Sequence, residues 1–252
     1  MFIVLPPSET KVSGGEPGTC LELAALSFPH QNAVRESLIQ DLIELSADVE
    51  LAKAALKLGV KGAGEIVRNS ELRTSPVLPA LERYTGVLYD ALGYSELPRS
   101  QREWVDQSVG VFSALFGLIR STDPIPAYRL SFDSRLPSGK PGKHWGAVVD
   151  NVWAQAPGFT LDLRSEGYRS LAPVPEGRGV FVALVKPGPR GARPALGHAN
   201  KAVKGELVKR LAATDAQVES LEDFVAWGSL NGYECDASSY DQGRVDLVIS
   251  DR

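Results

Sequence analysis

Two short runs without a polar residue, Phe2–Leu5 and Val180–Val185, constrain the fold of this chain more than any other feature. A strand with one face in water alternates apolar and polar residues, whereas an unbroken apolar run of this length marks a strand buried on both faces. Pro6 and Pro7 stop the first run and open a loop over Ser8–Lys11. Further strands are expected at Phe159–Leu163 and Tyr128–Phe132, with Val111–Ile119 extended. Tyr233–Cys235 and Arg244–Ile249 read as a closing hairpin.

Helical signals fall between these runs. Val34, Leu38, Leu42 and Leu45 recur every three or four residues, which predicts an amphipathic helix. Asp48–Leu58 reads as a second helix closed by Gly59, and another begins near Gly64. Pro98–Val109, Gly142–Ala156 and Ala199–Ala213 complete the set. Strands interspersed with helices predict a single α/β domain over residues 1–252, with a β-sheet flanked by helices. The sheet is mixed because a closing hairpin is antiparallel. At 252 residues, one large domain accommodates the whole chain.

Composition excludes several classes. Apolar residues make up 43% and charged residues 23%, as in ordinary globular proteins and unlike disordered chains. Phe2–Leu5 is shorter than the roughly 7 to 15 apolar residues of a signal-peptide core. No run approaches the roughly 20 needed to cross a bilayer, so no membrane partner is expected. Cys20 and Cys235 form no CxxC or Cys/His pattern, and the only histidines are His30, His144 and His198. Reduced thiols in the cytoplasm and no metal site follow. GxSxG, Walker and HExxH motifs are missing, and no cofactor is expected. SGKPGK, Ser138–Lys143, lacks the spacing of a phosphate loop.

The net charge of −4 conceals a basic stretch. Residues 186–210 carry Lys186, Arg190, Arg193, Lys201, Lys204, Lys209 and Arg210 against Glu206 alone. Such a concentration on an acidic protein suits either a specific anionic ligand or a solvated basic face. Within it, Lys204 lies about 60° from Leu207 on a helical projection, at the border of the Ala199, Val203, Leu207 and Leu211 stripe. A lysine there either is desolvated and binds an anion or snorkels to water. KPGPRGARPALG, Lys186–Gly197, has the chemistry of a lid or of an exposed hairpin loop.

Three loops have site chemistry. PPSETK, Pro6–Lys11, follows the first strand, where α/β sheets bind ligands. LDLRSEGY, Leu161–Tyr168, ends a strand and places Ser165 either as a helix cap or as a ligand contact. VKGAG, Val60–Gly64, matches the hairpin of a helix-hairpin-helix-like element over about residues 48–70. There Lys61, Gly62 and Gly64 would offer backbone N–H groups to a nucleic-acid phosphate, and the alternative is a tight turn.

PPSETK, YTGVLYDAL (84–92), FSALFGLIRSTDPIPAYRL (112–130), LRSEGY (163–168) and HANKAVKGELVKRL (198–211) together resemble the YaaA peroxide-stress family over most of the chain. The resemblance implies a cytoplasmic protein of the hydrogen-peroxide stress response that limits iron-dependent damage. It also implies an α/β fold and DNA binding through a helix-hairpin-helix element beside a basic cleft. Matching motif positions are Ser8, Lys11, Tyr84, Thr85, Gly86, Arg120, Asp123, Tyr128, Arg129, Ser165, Tyr168, Lys201 and Lys204. Thr10 departs from the glycine of many relatives.

These positions are polar, and unpaired polar groups cost about 1 to 3 kcal/mol each to bury, so they are expected to converge on one anion. Lys11, Arg120, Arg129, Lys201 and Lys204 would hold phosphate or carboxylate, with Tyr84, Tyr128 or Trp145 stacking on a base. Two functions follow. One is DNA binding. The other is an enzyme acting on a small phosphorylated or nucleotide-like substrate, with Lys204 or Tyr168 as acid/base and Arg120 and Arg129 as clamps.

Overall fold

A computed structural model describes residues 1–59, 62–188 and 192–249. In chain order its elements are β1 (Phe2–Leu5), α1 (Asn32–Ser46), α2 (Val49–Ala55), α3 (Ala63–Ser70), β2 (Leu78–Pro79), α4 (Ala80–Arg83), α5 (Val87–Leu92), α6 (Arg99–Ser108), β3 (Val109–Ser113), β4 (Gly117–Arg120) and β5 (Pro124–Ile125). They continue with α7 (Pro141–Gly146), α8 (Val149–Ala154), β6 (Thr160–Asp162), α9 (Glu166–Arg169), β7 (Gly179–Val185), α10 (Asn200–Ala213), α11 (Leu221–Leu230), β8 (Glu234–Asp236) and β9 (Arg244–Val248).

Seven strands form one mixed sheet in the order β4-β3-β1-β6-β7-β9-β8, and β2 pairs with β5 in a small separate ladder. The five inner strands are parallel; β4 and β8 pair antiparallel at the two edges. Every residue of β1 and β7 is buried, the condition that apolar runs without alternation require. Tyr233–Cys235 and Arg244–Ile249 do form the expected antiparallel closure, as β8 and β9. Among the described residues no helix is long and apolar enough to cross a membrane.

Four local expectations differ from what is observed. The second helix ends at Ala55, before Gly59, because Lys57 adopts a left-handed conformation (φ 54°) and Leu58 N–H donates to Lys53 O at 2.9 Å. Val111–Ile119 is not one extended segment but the turn of a hairpin, in which Gly117 (φ 62°) reverses the chain between β3 and β4. Gly142–Ala156 is split into α7 and α8, each of which delivers an indole to the core beside Phe112, at centroid distances of 5.8 Å for Trp145 and 6.4 Å for Trp153.

Tyr128–Phe132 is not a strand of the sheet. The Asn69 side chain takes the place of a neighbouring strand, donating to Arg129 O (2.9 Å) and accepting from Arg129 N–H (2.8 Å). A local amide clamp of this kind satisfies the backbone without a ladder.

Buried arginines fasten the irregular segments. Arg83 donates to the carbonyls of Ile125, Val12, Gly14 and Pro76, and Arg35 to those of Phe116 and Leu118. Arg164 forms a two-bond ion pair with Asp162 (2.8 and 2.7 Å) and also reaches Tyr168 O and Ala172 O. These cations donate to main-chain carbonyls, most of them in irregular segments. Part of the polarity that sequence reasoning assigned to a ligand is therefore consumed inside the fold.

Candidate functional site

From β1 the chain moves to β3 on one side, and from β6 it moves to β7 on the other. The two departures leave a crevice beyond the carboxyl ends of β1 and β6, the switch point at which open parallel sheets bind ligands. A cleft of about 680 Å³ occupies it, lined by the Pro6–Thr10 loop, Thr85–Tyr89, Arg164–Glu166, Tyr168, one side of β7 and the first turns of α10. Its lining is largely apolar, with Tyr89, Phe132, Tyr168 and Phe181 as its aromatic walls.

Hydroxyls cluster at one wall. Thr10 Oγ1 lies 3.1 Å from Ser8 Oγ, donates to Thr85 O at 3.3 Å and accepts from Thr85 Oγ1 at 3.2 Å. Gly86 (φ 100°) lets the chain pass close to these groups: a Cβ there would sit 3.4 Å from both Ser8 Oγ and Thr10 Oγ1. Thr10, a departure from the family pattern, thus becomes the centre of this hydroxyl group.

Helix α10 forms the opposite wall. It crosses α5 at Gly205, where a Cβ would lie 2.2 Å from Leu88 O, so glycine alone allows the approach. That contact sets Lys204 into the cleft, 6% exposed, with Nζ donating to Arg164 O at 3.2 Å. Burial lowers its pKa from 10.5 to about 8, against the opposing pull of Asp162 and Glu166. Lys204 is therefore on the buried face rather than at its border, and its head does not snorkel to bulk water. Ala199 is exposed; the buried face runs through Lys204, Leu207, Val208 and Leu211. Lys201 and Asn200 also line the cleft, and Asn200 Oδ1 is buried without a hydrogen-bond partner among the described residues.

Lys11 lies behind the Pro6–Thr10 loop. Its Nζ donates to Ser8 O (2.8 Å) and sits 4.0 Å from the centre of the Tyr128 ring and 5.3 Å from that of Tyr84. Burial, then the neighbouring Arg129 charge, lower its pKa to about 7, although Glu65 and Glu9 act the other way. Arg129 ion-pairs with Glu9 at 2.7 Å. Tyr84 and Tyr128 bond to each other through their hydroxyls (2.8 Å), and Tyr128 also to Ser113 (2.6 Å). Both rings are 2% exposed or less, as is Trp145, whose indole donates to Ala114 O. None of the three presents a face for a base to stack on.

Arg120 lies elsewhere. It sits at the amino end of the parallel strands, with its guanidinium over Phe2 and Phe28 and donating to Gln107 O. Asp123 closes the same turn by accepting from Ser27 and Arg120 N–H. The basic stretch also disperses: Arg193 pairs with Glu234 and Asp236, and Arg210 bonds Asn231. Residues 192–197 fold back on the end of β7, with Val185 bridging Ala195; residues 189–191, Arg190 among them, lie outside the described residues. Ser138 is held by Asp41 and His144.

Ser165 occupies the N-cap of α9 but makes no capping hydrogen bond with its side chain, so plain capping does not account for it. Tyr168 is 7% exposed and edge-on to Phe132. Burial pushes its phenol well above the usual pKa; it holds its proton at neutral pH and is a donor, not a base. Gly62 precedes α3 and Gly64 lies in its first turn, while Lys61 is outside the described residues. Sequence reasoning missed Thr10, Tyr89, Phe181 and Asn200. Asn200 next to Lys201 was the one signal at hand, an amide opening an amphipathic helix after a glycine-rich loop.

Fold and cleft together define an α/β protein with a polar-ended cleft at its sheet switch point. The chain belongs to the peroxide stress protein YaaA family, whose profile matches residues 1–239. It is similar to a UPF0246 protein of Streptomyces coelicolor, 39% identical over 96% of this chain and 95% of that one. A UPF0246 protein of Corynebacterium glutamicum is 36% identical over 99% and 100%. An uncharacterized protein of Campylobacter jejuni is 24% identical over 82% and 83%.

Proposed function

We propose that this cytoplasmic protein serves the peroxide-stress response by binding a small anionic, nucleotide-like molecule in the switch-point cleft. The observation that carries the reading is the convergence on one apolar cleft of Lys201, Lys204 and the unpartnered Asn200 Oδ1 from α10. Lys201 and the Ser8, Thr85 and Ser165 hydroxyls meet the anion. Asn200 accepts from an amino group on the base, and Tyr89 and Phe132 flank its faces. A cleft of this size and apolar character fits one small molecule better than a strand of nucleic acid.

The test is thermal unfolding and calorimetry with AMP, ADP and ribose 5-phosphate. A ligand at a hundredfold excess over its Kd stabilises by about 2.7 kcal/mol. Lys201→Glu is expected to weaken binding at least tenfold, whereas Arg120→Glu leaves it unchanged. No stabilisation by any of the three, or an equal loss in both variants, refutes the reading.

DNA binding is the second reading, supported by Ala63 and Gly64, exposed at the start of α3, and by Arg68 in its last turn, which reaches Ser13. Glu65 in the first turn pairs with Arg68 at 2.6 Å and so offsets the cation a phosphate would need, which ranks this reading second. Affinity for duplex or single-stranded DNA that falls steeply with salt would support it; no binding at low salt would end it.

A further inference from the structure

Lys204 is placed for covalent chemistry: we infer that its amine condenses with an aldehyde or ketone carried by the anionic ligand, forming a Schiff base inside the cleft. This rests on the reading of the cleft as an anion site and assigns the deeper lysine a separate task.

Four observations support it. The amine is buried within the cleft lining, and among the described residues it hydrogen-bonds to a main-chain carbonyl, Arg164 O. Neither nearby carboxylate forms an ion pair with it: both oxygens of Asp162 are engaged by Arg164, and Glu166 pairs with Arg169 on the surface. An amine without a counter-ion in an apolar cleft is readily deprotonated, which makes it a nucleophile, in keeping with its lowered pKa. Tyr168 supplies a protonated phenol to the same cleft. Lastly, the crossing of α10 over α5 at Gly205 fixes the lysine's position on a rigid element.

The chemistry balances without an oxidant or reductant. The nitrogen lone pair adds to the carbonyl carbon, the C=O π pair moves to oxygen, and the proton lost by nitrogen ends on that oxygen to give a carbinolamine. The nitrogen lone pair then forms C=N as the C–O bond breaks. Oxygen leaves as water with a proton from Tyr168, which regains the second proton from nitrogen. Amine and carbonyl become imine and water. Lys201, at the exposed rim, holds the ligand's anionic end. Lys11 is no rival: it lies behind the loop, over the Tyr128 ring, and is not part of the cleft lining.

The test uses pyridoxal 5′-phosphate, a flat aldehyde bearing a phosphate, with the full chain. Borohydride delivers hydride to the imine carbon and fixes it as a secondary amine, which peptide mass spectrometry locates. Lys204 is expected to be labelled at least tenfold faster than Lys201, Lys11 or any surface lysine, and excess AMP to slow that labelling at least tenfold. Lys204→Met removes the cleft adduct; if it does not fold, the wild-type map alone decides. Labelling spread over surface lysines while AMP still stabilises the protein overturns the covalent role and leaves the anion site standing. If neither AMP nor ribose 5-phosphate stabilises the protein and Lys204 is unlabelled, both fall.

Discussion

Replacing Lys204 by methionine is expected to stabilise the protein at neutral pH and to lose that advantage in alkali. The pKa of the lysine falls from 10.5 to about 8 on folding, so between those values the unfolded chain binds more protons than the folded one. Stability therefore rises with pH across that window. Below it the buried ammonium costs about 3 kcal/mol, at about 1.4 kcal/mol per tenfold change in the equilibrium. Methionine keeps an apolar stem of similar length but leaves Arg164 O without the donor it has at 3.2 Å, a loss of about 1 kcal/mol. The variant should be more stable by about 2 kcal/mol at pH 7, a rise in Tm of about 4 to 8 °C for a chain of this size. At pH 10 most of the wild-type penalty has gone and the two proteins should be nearly equal. Urea unfolding of both at pH 7, 8.5 and 10 measures the difference, and every other titrating group cancels in the comparison. A difference that stays constant across the three values refutes the reasoning, because it would mean that the amine is already solvated or ion-paired.

Gly205→Ala forces a Cβ to within 2.2 Å of Leu88 O. It should cost about 1 to 3 kcal/mol by overpacking and reduce AMP-dependent stabilisation more than tenfold, since α10 must withdraw from α5; unchanged binding would show that the crossing does not shape the cleft. Arg83→Met leaves the carbonyls of Ile125, Val12, Gly14 and Pro76 without their shared donor. A loss above about 4 kcal/mol, seen as a collapse of Tm or failure to fold, is the expected outcome; a loss below about 1 kcal/mol would contradict the fastening role.

The sheet was legible because Phe2–Leu5 and Val180–Val185 have apolar residues on both faces, the pattern of a strand covered on both sides. Strand order was not, since periodicity describes which faces are buried and says nothing of which strand lies beside which. Tyr128–Phe132 has strand composition, yet its backbone is held by Asn69, a side chain some 60 positions earlier that no local window links to it. Among cations the same limit applies. Arg83 and Arg164 look in sequence like Lys201 and Lys204, but the first two are saturated by carbonyls and a carboxylate while the other two line an open cleft. Arg120 shows the difficulty most directly: its neighbours in sequence resemble those of a ligand-binding arginine, and the hairpin at Gly117 carries it to the far end of the sheet. Lys204 was legible as a lysine at odds with its helix face, although its depth was underestimated.

The position of β1 has a consequence for how the molecule comes together. Ile3 takes its partners from Val109 on one side and Leu161 on the other, so the middle of the sheet is laid down first and completed only after most of the chain exists. Contacts that distant in sequence close slowly. Until β3 and β6 arrive, four consecutive apolar residues wait with both edges unpaired, a ready target for chaperones and for mispairing between newly made chains.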